Sequence, residues 1–134
     1  MTMRNGTSII FVNSHEKILL LLRDNIQEIP YPNMWDLPGG AVEGEETPEQ
    51  AIVREMKEEI KLDLKEFSPL CVTEFPDRIE HTYWKSIDLE IESINLTEGQ
   101  MLKWFSEKEV SRMELAFGFN IITDFFFKRR PFKG

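Results

Sequence analysis

The stretch from residue 39 to residue 62 constrains the fold of this chain more than any other part of its sequence. It reads GGAVEGEETPEQAIVREMKEEIKL and holds seven glutamates between residues 43 and 59, against one arginine and one lysine. Pro48 suits the first turn of a helix, and Thr47 before it is a favourable helix cap. The pattern therefore predicts a helix from Pro48 to about Lys61. The glycine-rich loop that precedes it can approach a ligand closely with its backbone.

One face of this predicted helix is acidic. With 100° of rotation per residue, Glu55, Glu58 and Glu59 fall on one side, next to an apolar stripe that would pack on a sheet. Their mutual repulsion costs some tenths of a kcal/mol for each exposed pair. A divalent cation would relieve it, and an oxygen-only ligand set favours Mg²⁺ or Mn²⁺ over zinc. On the helix alone, a solvated acidic surface without any ligand is the alternative.

The remaining pattern predicts strands mixed with helices. Apolar or alternating runs predict strands at residues 7–13, 17–23, 67–75, 81–93 and 100–106, with a short strand near Trp35. Ser106 would cap a short helix at residues 107–113, and residues 115–128 predict a C-terminal helix. We therefore expect an α/β (α+β) fold, an α/β/α sandwich with a mixed sheet packed between helices.

Length and charge limit the partners of the chain. Its 134 residues predict a single domain, 1–134, and its net charge of −8 argues against binding to duplex nucleic acid or to a membrane. A small phosphorylated ligand is compatible with this charge, because metal ions can bridge two anions. Cys71 is the one cysteine, and the sequence shows neither a signal peptide nor a membrane-spanning run. We expect a cytoplasmic monomer or homodimer.

The loop and helix together resemble the Nudix box. That motif is a glycine, five residues, a glutamate, seven residues, Arg-Glu-apolar, one residue, Glu-Glu, one residue, a glycine and an apolar residue. The chain matches it at Gly40, Glu46, Arg54, Glu55, Met56, Glu58, Glu59 and Leu62. The stretches LPGG at 37–40, EFPDR at 74–78 and EGQMLKWFS at 98–106 resemble MutT-type members of the family. The resemblance covers nearly the whole chain and implies the Nudix fold.

The resemblance also implies how the metal and the attacking water are held. Arg54 would orient the carboxylates by charge-assisted hydrogen bonds, and Glu46 would fix the loop against the helix. The general base would be Glu55 or Glu98, which the spacing does not distinguish. The cofactor would be Mg²⁺, with Mn²⁺ as a substitute. Its ligands would be the Gly39 carbonyl and the carboxylates of Glu55, Glu58, Glu59 and Glu98.

A nucleotide substrate follows from the same resemblance. Nudix enzymes use Mg²⁺ to hydrolyse a nucleoside diphosphate linked to another group, and MutT-type members convert nucleoside triphosphates to monophosphate and pyrophosphate. We expect a purine nucleoside triphosphate, with an oxidised guanine nucleotide as the leading candidate. Asn120 would read the purine edge, because an amide both donates and accepts. The alternative for Asn120 is an ordinary polar residue at the start of a helix. Arg23, Leu37 and Asp77 would lie nearby.

Two alternatives stay open. The same fold could act on ADP-ribose, a dinucleoside polyphosphate or a nucleotide sugar, although the short chain without an N-terminal extension favours the triphosphate. A regulator could instead bind a nucleotide without catalysis. Such proteins usually lose carboxylates of the box, whereas all of them are present here.

Lys61 is the one departure from the box, since the family has glycine at this position. If the backbone keeps the left-handed conformation that a glycine allows, a residue with a Cβ costs about 1 kcal/mol. Otherwise the helix ends differently and the lysine complements the helix dipole.

Overall fold

The computed structural model describes residues 3–133, so the two ends of the predicted 1–134 domain lie outside the described residues. Its strands are β1 (Arg4–Val12), β2 (Ile18–Leu22), β3 (Trp35–Asp36), β4 (Gly39–Ala41), β5 (Ser68–Glu74), β6 (Arg78–Ser86) and β7 (Met101–Phe105). Its helices are α1 (Pro48–Ile60), α2 (Glu107–Ser111) and α3 (Asn120–Arg129). Single 3₁₀ turns lie at Ile91–Ser93, Ala116–Gly118 and Pro131–Lys133.

The strands form one mixed sheet with β1 at its centre. The order is β3-β2-β1-β6-β5, while β4 pairs with β1 and β7 pairs with β2. β1 and β6 run parallel, from the pair Arg4 and Arg78 to the pair Val12 and Ser86. The neighbouring pairs of β1 with β2 and with β4 are antiparallel. The predicted mixed sheet is therefore confirmed.

Helices cover both faces of the sheet, which explains why β1 and β2 are apolar on successive residues. Ile9 and Phe11 of β1 pack in one cluster with the apolar side of α1. Ile10 and Val12 point to the opposite face and pack with α3 residues such as Phe126. Successive side chains of β1 therefore pack in two hydrophobic cores on opposite faces of the sheet, which confirms the predicted α/β/α sandwich. Within residues 3–133, no helix is long and apolar enough to cross a membrane.

Two predicted boundaries were wrong. The strand expected at 81–93 is β6 at Arg78–Ser86, because its ladder with β1 ends at Val12 and leaves the following residues without a partner strand. The C-terminal helix begins at Asn120 rather than at residue 115. Phe117 and Gly118 have φ values of 58° and 72°, which no right-handed helix accommodates. The structure also adds β4, which the sequence placed in a loop.

Lys61 takes the first of its two alternatives. Its backbone is left-handed, with φ 59° and ψ 28°, and its N–H donates to the Met56 carbonyl to end α1. The conformation that glycine favours is thus retained by a lysine, at a cost of about 1 kcal/mol.

Candidate active site

The start of α1 is fixed by its own residues and by β1. The Thr47 hydroxyl accepts from the Gln50 N–H at 3.1 Å, and the Gln50 side chain accepts from the Thr47 N–H at 2.9 Å. The Thr7 hydroxyl of β1 donates to the Pro48 carbonyl at 3.1 Å. This reciprocal cap and the buried apolar side of α1 fix the rotation of the helix, so that Glu55 and Glu59 lie toward β4.

Arg54 ties the acidic loop to the helix. Its Nε and Nη2 donate to the two carboxylate oxygens of Glu46 at 2.6 and 3.0 Å, and Nη2 also donates to the Ala41 carbonyl. Its Nη1 donates to Glu55 at 3.0 Å and to Glu58 at 3.2 Å. The bond to Glu46 contributes most to raising the Arg54 pKa, so the guanidinium stays charged. One arginine therefore orients three carboxylates of the box.

Glu55 and Glu59 line a groove of about 330 Å³ together with Glu98 and Gly39. Burial raises the pKa of Glu59 to about 8, and the carboxylates of Glu55, Asp36 and Glu98 add to the rise. The Gly39 N–H, 3.4 Å from the Glu59 carboxylate, opposes it only in part. The groove therefore brings together more carboxyl groups than it stabilises in the ionised form, and Glu59 keeps its proton at neutral pH.

The two glycines before the loop are needed for close approach. A Cβ added at Gly39, where φ is 149°, would lie 2.1 Å from the Thr7 carbonyl oxygen. A Cβ added at Gly40 would lie 2.5 Å from the carboxyl carbon of Glu55. The absence of a side chain at Gly40 therefore leaves the space in which the Glu55 carboxylate lies.

Asp36 lines both this groove and a second cavity. Arg23 donates to Asp36 Oδ2 at 3.2 Å, yet burial raises the pKa of Asp36 to about 7. Its Oδ1 is buried without a hydrogen-bond partner, the one such side-chain atom within residues 3–133. An unsatisfied buried acceptor is costly, so this atom marks a place where a ligand donor would be favourable.

The second cavity has a volume of about 180 Å³ and combines aromatic rings with charged groups. Arg78 Nε donates to Glu80 at 2.7 Å, and Arg78 Nη2 donates to the Phe117 carbonyl at 3.0 Å. The Arg23 guanidinium lies 4.9 Å from the centre of the Phe117 ring. Such a cavity suits a flat, polar-edged ligand. Its lining includes Arg4, Asn5, Gly6, Arg23, Asp36, Leu37, Arg78, Glu80, Phe117 and Phe119.

Of the four residues predicted to bind substrate, the structure brings Arg23 and Leu37 to this cavity. Asp77 does not line it: its side chain is 58% exposed and pairs with Arg78 at 3.1 Å. Asn120 does not line it either, because its amide donates to the Met113 carbonyl and accepts from the Leu115 N–H, each at 2.8 Å. Both functions of that amide hold the loop before α3.

Of the predicted metal ligands, the groove brings together Gly39, Glu55, Glu59 and Glu98. Glu58 is not in its lining, because its side chain turns to Arg54 and is 60% exposed. In the described part of the chain, no three His, Cys, Asp or Glu side chains converge as a metal-binding group. The chemistry of the donor set nevertheless fits a hard divalent cation, since it consists of carboxylates, one of them with a pKa near 8.

Sequence reasoning missed four residues of the site: Asp36, Arg78, Glu80 and Phe117. A signal existed for two of them, because Arg78 and Glu80 are two apart in a strand and therefore point to the same face. Charged residues rarely lie on a covered face of a sheet without a function or a partner. Asp36 and Phe117 lie in segments whose position depends on the whole fold.

The chain is similar to known proteins of one family. The model of the NUDIX domain family matches residues 2–125. The 8-oxo-dGTP diphosphatase of Escherichia coli K12 is 42% identical over 77 residues, covering 55% of this chain and 59% of that protein. The ADP-ribose pyrophosphatase of Methanocaldococcus jannaschii is 46% identical over 67 residues, covering 50% of this chain and 38% of that protein.

The fold matches solved structures over its whole length. A MutT/Nudix family protein from Listeria innocua superposes with a TM-score of 0.82 and 22% identity, covering 99% of this chain and 98% of that one. The chain spans less than half of the length of the first curated relatives that it matches.

Proposed function

Because the chain belongs to the Nudix family, we propose that it is a divalent-metal-dependent hydrolase that cleaves a nucleoside triphosphate to monophosphate and pyrophosphate. The observation that carries this proposal is the groove that Glu55, Glu59 and Glu98 line, beside the cavity with Phe117. The groove suits a metal-bound phosphate chain, and the cavity suits a base. A nucleotide spanning both would place its phosphates next to the carboxylates.

The metal ion would be Mg²⁺, held by the Gly39 carbonyl and the carboxylates of Glu55, Glu59 and Glu98. Glu58 could bind the ion only if its carboxylate released the hydrogen bond that it accepts from Arg54. When bound, the ion would neutralise phosphate charge and make a bound water more acidic. Its charge would also lower the pKa of Glu59 and restore the ionised form at neutral pH.

The residues of the chain would contribute position and proton transfer. Arg54 holds the Glu55 carboxylate at 3.0 Å and so fixes where a base could receive a proton from water. Glu55 or Glu98 would accept that proton, because both carboxylates lie in the groove. Rigid attachment of Arg54 to Glu46 would keep this geometry during turnover.

Two relatives support two candidate substrates for this chain, a nucleoside triphosphate and ADP-ribose. The Escherichia coli relative named 8-oxo-dGTP diphosphatase supports a guanine nucleoside triphosphate, the substrate class that the sequence predicts. The Methanocaldococcus relative named ADP-ribose pyrophosphatase favours ADP-ribose as the second candidate. Both substrates would present a diphosphate to the same carboxylates.

The test is a panel of substrates with Mg²⁺, compared by kcat/KM. It contains 8-oxo-dGTP, the ordinary deoxynucleoside triphosphates, ADP-ribose, a diadenosine polyphosphate and a nucleotide sugar. We expect a purine triphosphate to be the best substrate. A best substrate outside the triphosphates would refute the triphosphate assignment. Absence of turnover on every member, together with nucleotide binding, would instead indicate a regulator without catalysis.

A further inference from the structure

The buried ion pair of Arg78 and Glu80 lies in the cavity wall rather than inside the packed core. Glu80 is 3% exposed and Arg78 is 7% exposed, and Nε of the arginine donates to Glu80 Oε1 at 2.7 Å. Burial raises the pKa of the Glu80 carboxyl, although Arg78 and Ser8 oppose the rise. A charge pair in this position needs further hydrogen bonds to offset its desolvation.

Gly6 makes room for this carboxylate. In the parallel ladder of β1 and β6, Gly6 is the partner of Glu80. A Cβ added at Gly6 would lie 2.4 Å from Glu80 Oε1 and 3.4 Å from Oε2, so both oxygens lie above the glycine. Gly6 also lines the cavity. The sequence thus combines a glycine and a glutamate, 74 residues apart, to place a carboxylate in the cavity wall.

The wall holds more hydrogen-bond acceptors than the chain satisfies. A carboxylate has about four acceptor positions, whereas Arg78 and Ser8 are the side chains within residues 3–133 that act as donors to Glu80. Asp36 Oδ1, in the same wall, is buried without a hydrogen-bond partner. Arg78 keeps N–H groups beyond those used by Glu80, Asp77 and Phe117. A complementary ligand therefore presents adjacent N–H donors next to a carbonyl acceptor.

We propose that Glu80 determines base specificity by accepting from the N1–H and the 2-amino group of a guanine, while Arg78 donates to its O6. The inference rests on the proposed nucleotide function and replaces Asn120, whose amide is engaged by the loop before α3, as the reader of the base. Guanine is the common base with two adjacent N–H donors on one edge. Adenine presents an unprotonated N1 there, and a carboxylate repels that lone pair. Phe117 and Phe119 supply aromatic faces in the same cavity.

The test uses binding of products, so it does not depend on hydrolysis. Dissociation constants of dGMP, dIMP and dAMP are measured by calorimetry in the presence of Mg²⁺ for the wild type, Glu80→Gln and Gly6→Ala. The base of dIMP differs from that of dGMP only by the missing 2-amino group. We expect the wild type to bind dGMP about tenfold or more tightly than dIMP, and Glu80→Gln to abolish this ratio.

Gly6→Ala keeps the charge of Glu80 but displaces its carboxylate, so it also lowers the ratio. It provides the answer if Glu80→Gln does not fold. The matched control is Glu49→Gln, which removes a carboxylate that accepts from Tyr83 outside the cavity and leaves the ratio unchanged. Equal weakening of all three nucleotides in Glu80→Gln, tighter binding of dAMP than dGMP, or no binding of any of them would overturn the proposal. Discrimination between dGMP and dIMP without triphosphate turnover would refute the proposed function alone.

Discussion

Replacement of Glu59 by glutamine should stabilise the metal-free protein at high pH and leave its stability unchanged near pH 5. Glu59 lies in the groove with Glu55, Asp36 and Glu98, and its pKa is about 8 instead of 4.5. The folded protein therefore retains a proton that the unfolded chain loses above pH 4.5. Stability contributed by this group is complete below pH 4.5 and is lost as the pH rises through 8. Glutamine resembles the protonated form and removes that loss.

The size of the effect follows from the difference between the two pKa values. At about 1.4 kcal/mol for each tenfold change in proton affinity, the upper limit is about 5 kcal/mol above pH 8. The Glu59 side chain keeps part of its surface exposed to solvent. Solvent screening therefore reduces the expected gain in the free energy of unfolding to about 1–3 kcal/mol. The Gly39 N–H can donate to glutamine as it does to Glu59, so no hydrogen bond is lost.

Urea unfolding at pH 5 to 9 in the presence of a chelator measures this free energy. The difference between Glu59→Gln and the wild type should grow across this range, and added Mg²⁺ should stabilise the variant less than the wild type. kcat should fall by orders of magnitude. Glu58→Gln is the matched control, because it removes a carboxylate of the same helix that is 60% exposed and lies outside the lining of the groove. If the difference in the free energy of unfolding did not change with pH, or if Glu59→Gln were less stable than the wild type at pH 9, the raised pKa of Glu59 would be refuted.

Three further substitutions test local features. Lys61→Gly should raise the free energy of unfolding by up to about 1 kcal/mol and leave kcat/KM near the wild-type value, because the left-handed backbone suits glycine. A large loss of activity would mean that Lys61 contacts substrate. Asn120→Ala should destabilise the protein by about 1–3 kcal/mol and reduce kcat/KM equally for every nucleotide, because the Met113 carbonyl and the Leu115 N–H lose their hydrogen-bond partner. A loss of kcat/KM confined to purines would restore Asn120 as the residue that reads the base. Gly40→Ala should leave the melting temperature unchanged and lower kcat, because the added Cβ displaces the Glu55 carboxylate. An unchanged kcat would contradict a role for the position of the Glu55 carboxylate.

The sequence predicted the parts of the site that depend on local spacing. Arg54, Glu55 and Glu59 belong to one helix, so helical geometry alone relates them, and the structure confirms the cap at Thr47 and the link to Glu46. The fold class followed in the same way from strands and helices recognised one at a time. Glu58 shows the limit of this reasoning, because it lies on the same helix but its side chain turns to Arg54.

The cavity could not be predicted because its residues meet only through the sheet. Gly6 and Glu80 are neighbours through the register of β1 and β6, which no local pattern specifies. Phe117 reaches Arg78 because the chain before α3 turns at two residues with positive φ. Asn120 follows this turn, so a side chain expected to face a base is used to hold the loop.

The central claim is that the carboxylate groove directs hydrolysis of a triphosphate between its α- and β-phosphorus atoms. Phosphorus NMR of a reaction with dGTP and Mg²⁺ tests it most directly, because it identifies the products without a coupled enzyme. We predict dGMP and pyrophosphate in equal amounts, and no turnover when a chelator removes the metal. Formation of dGDP and inorganic phosphate, or turnover that persists in the chelator, would contradict the account.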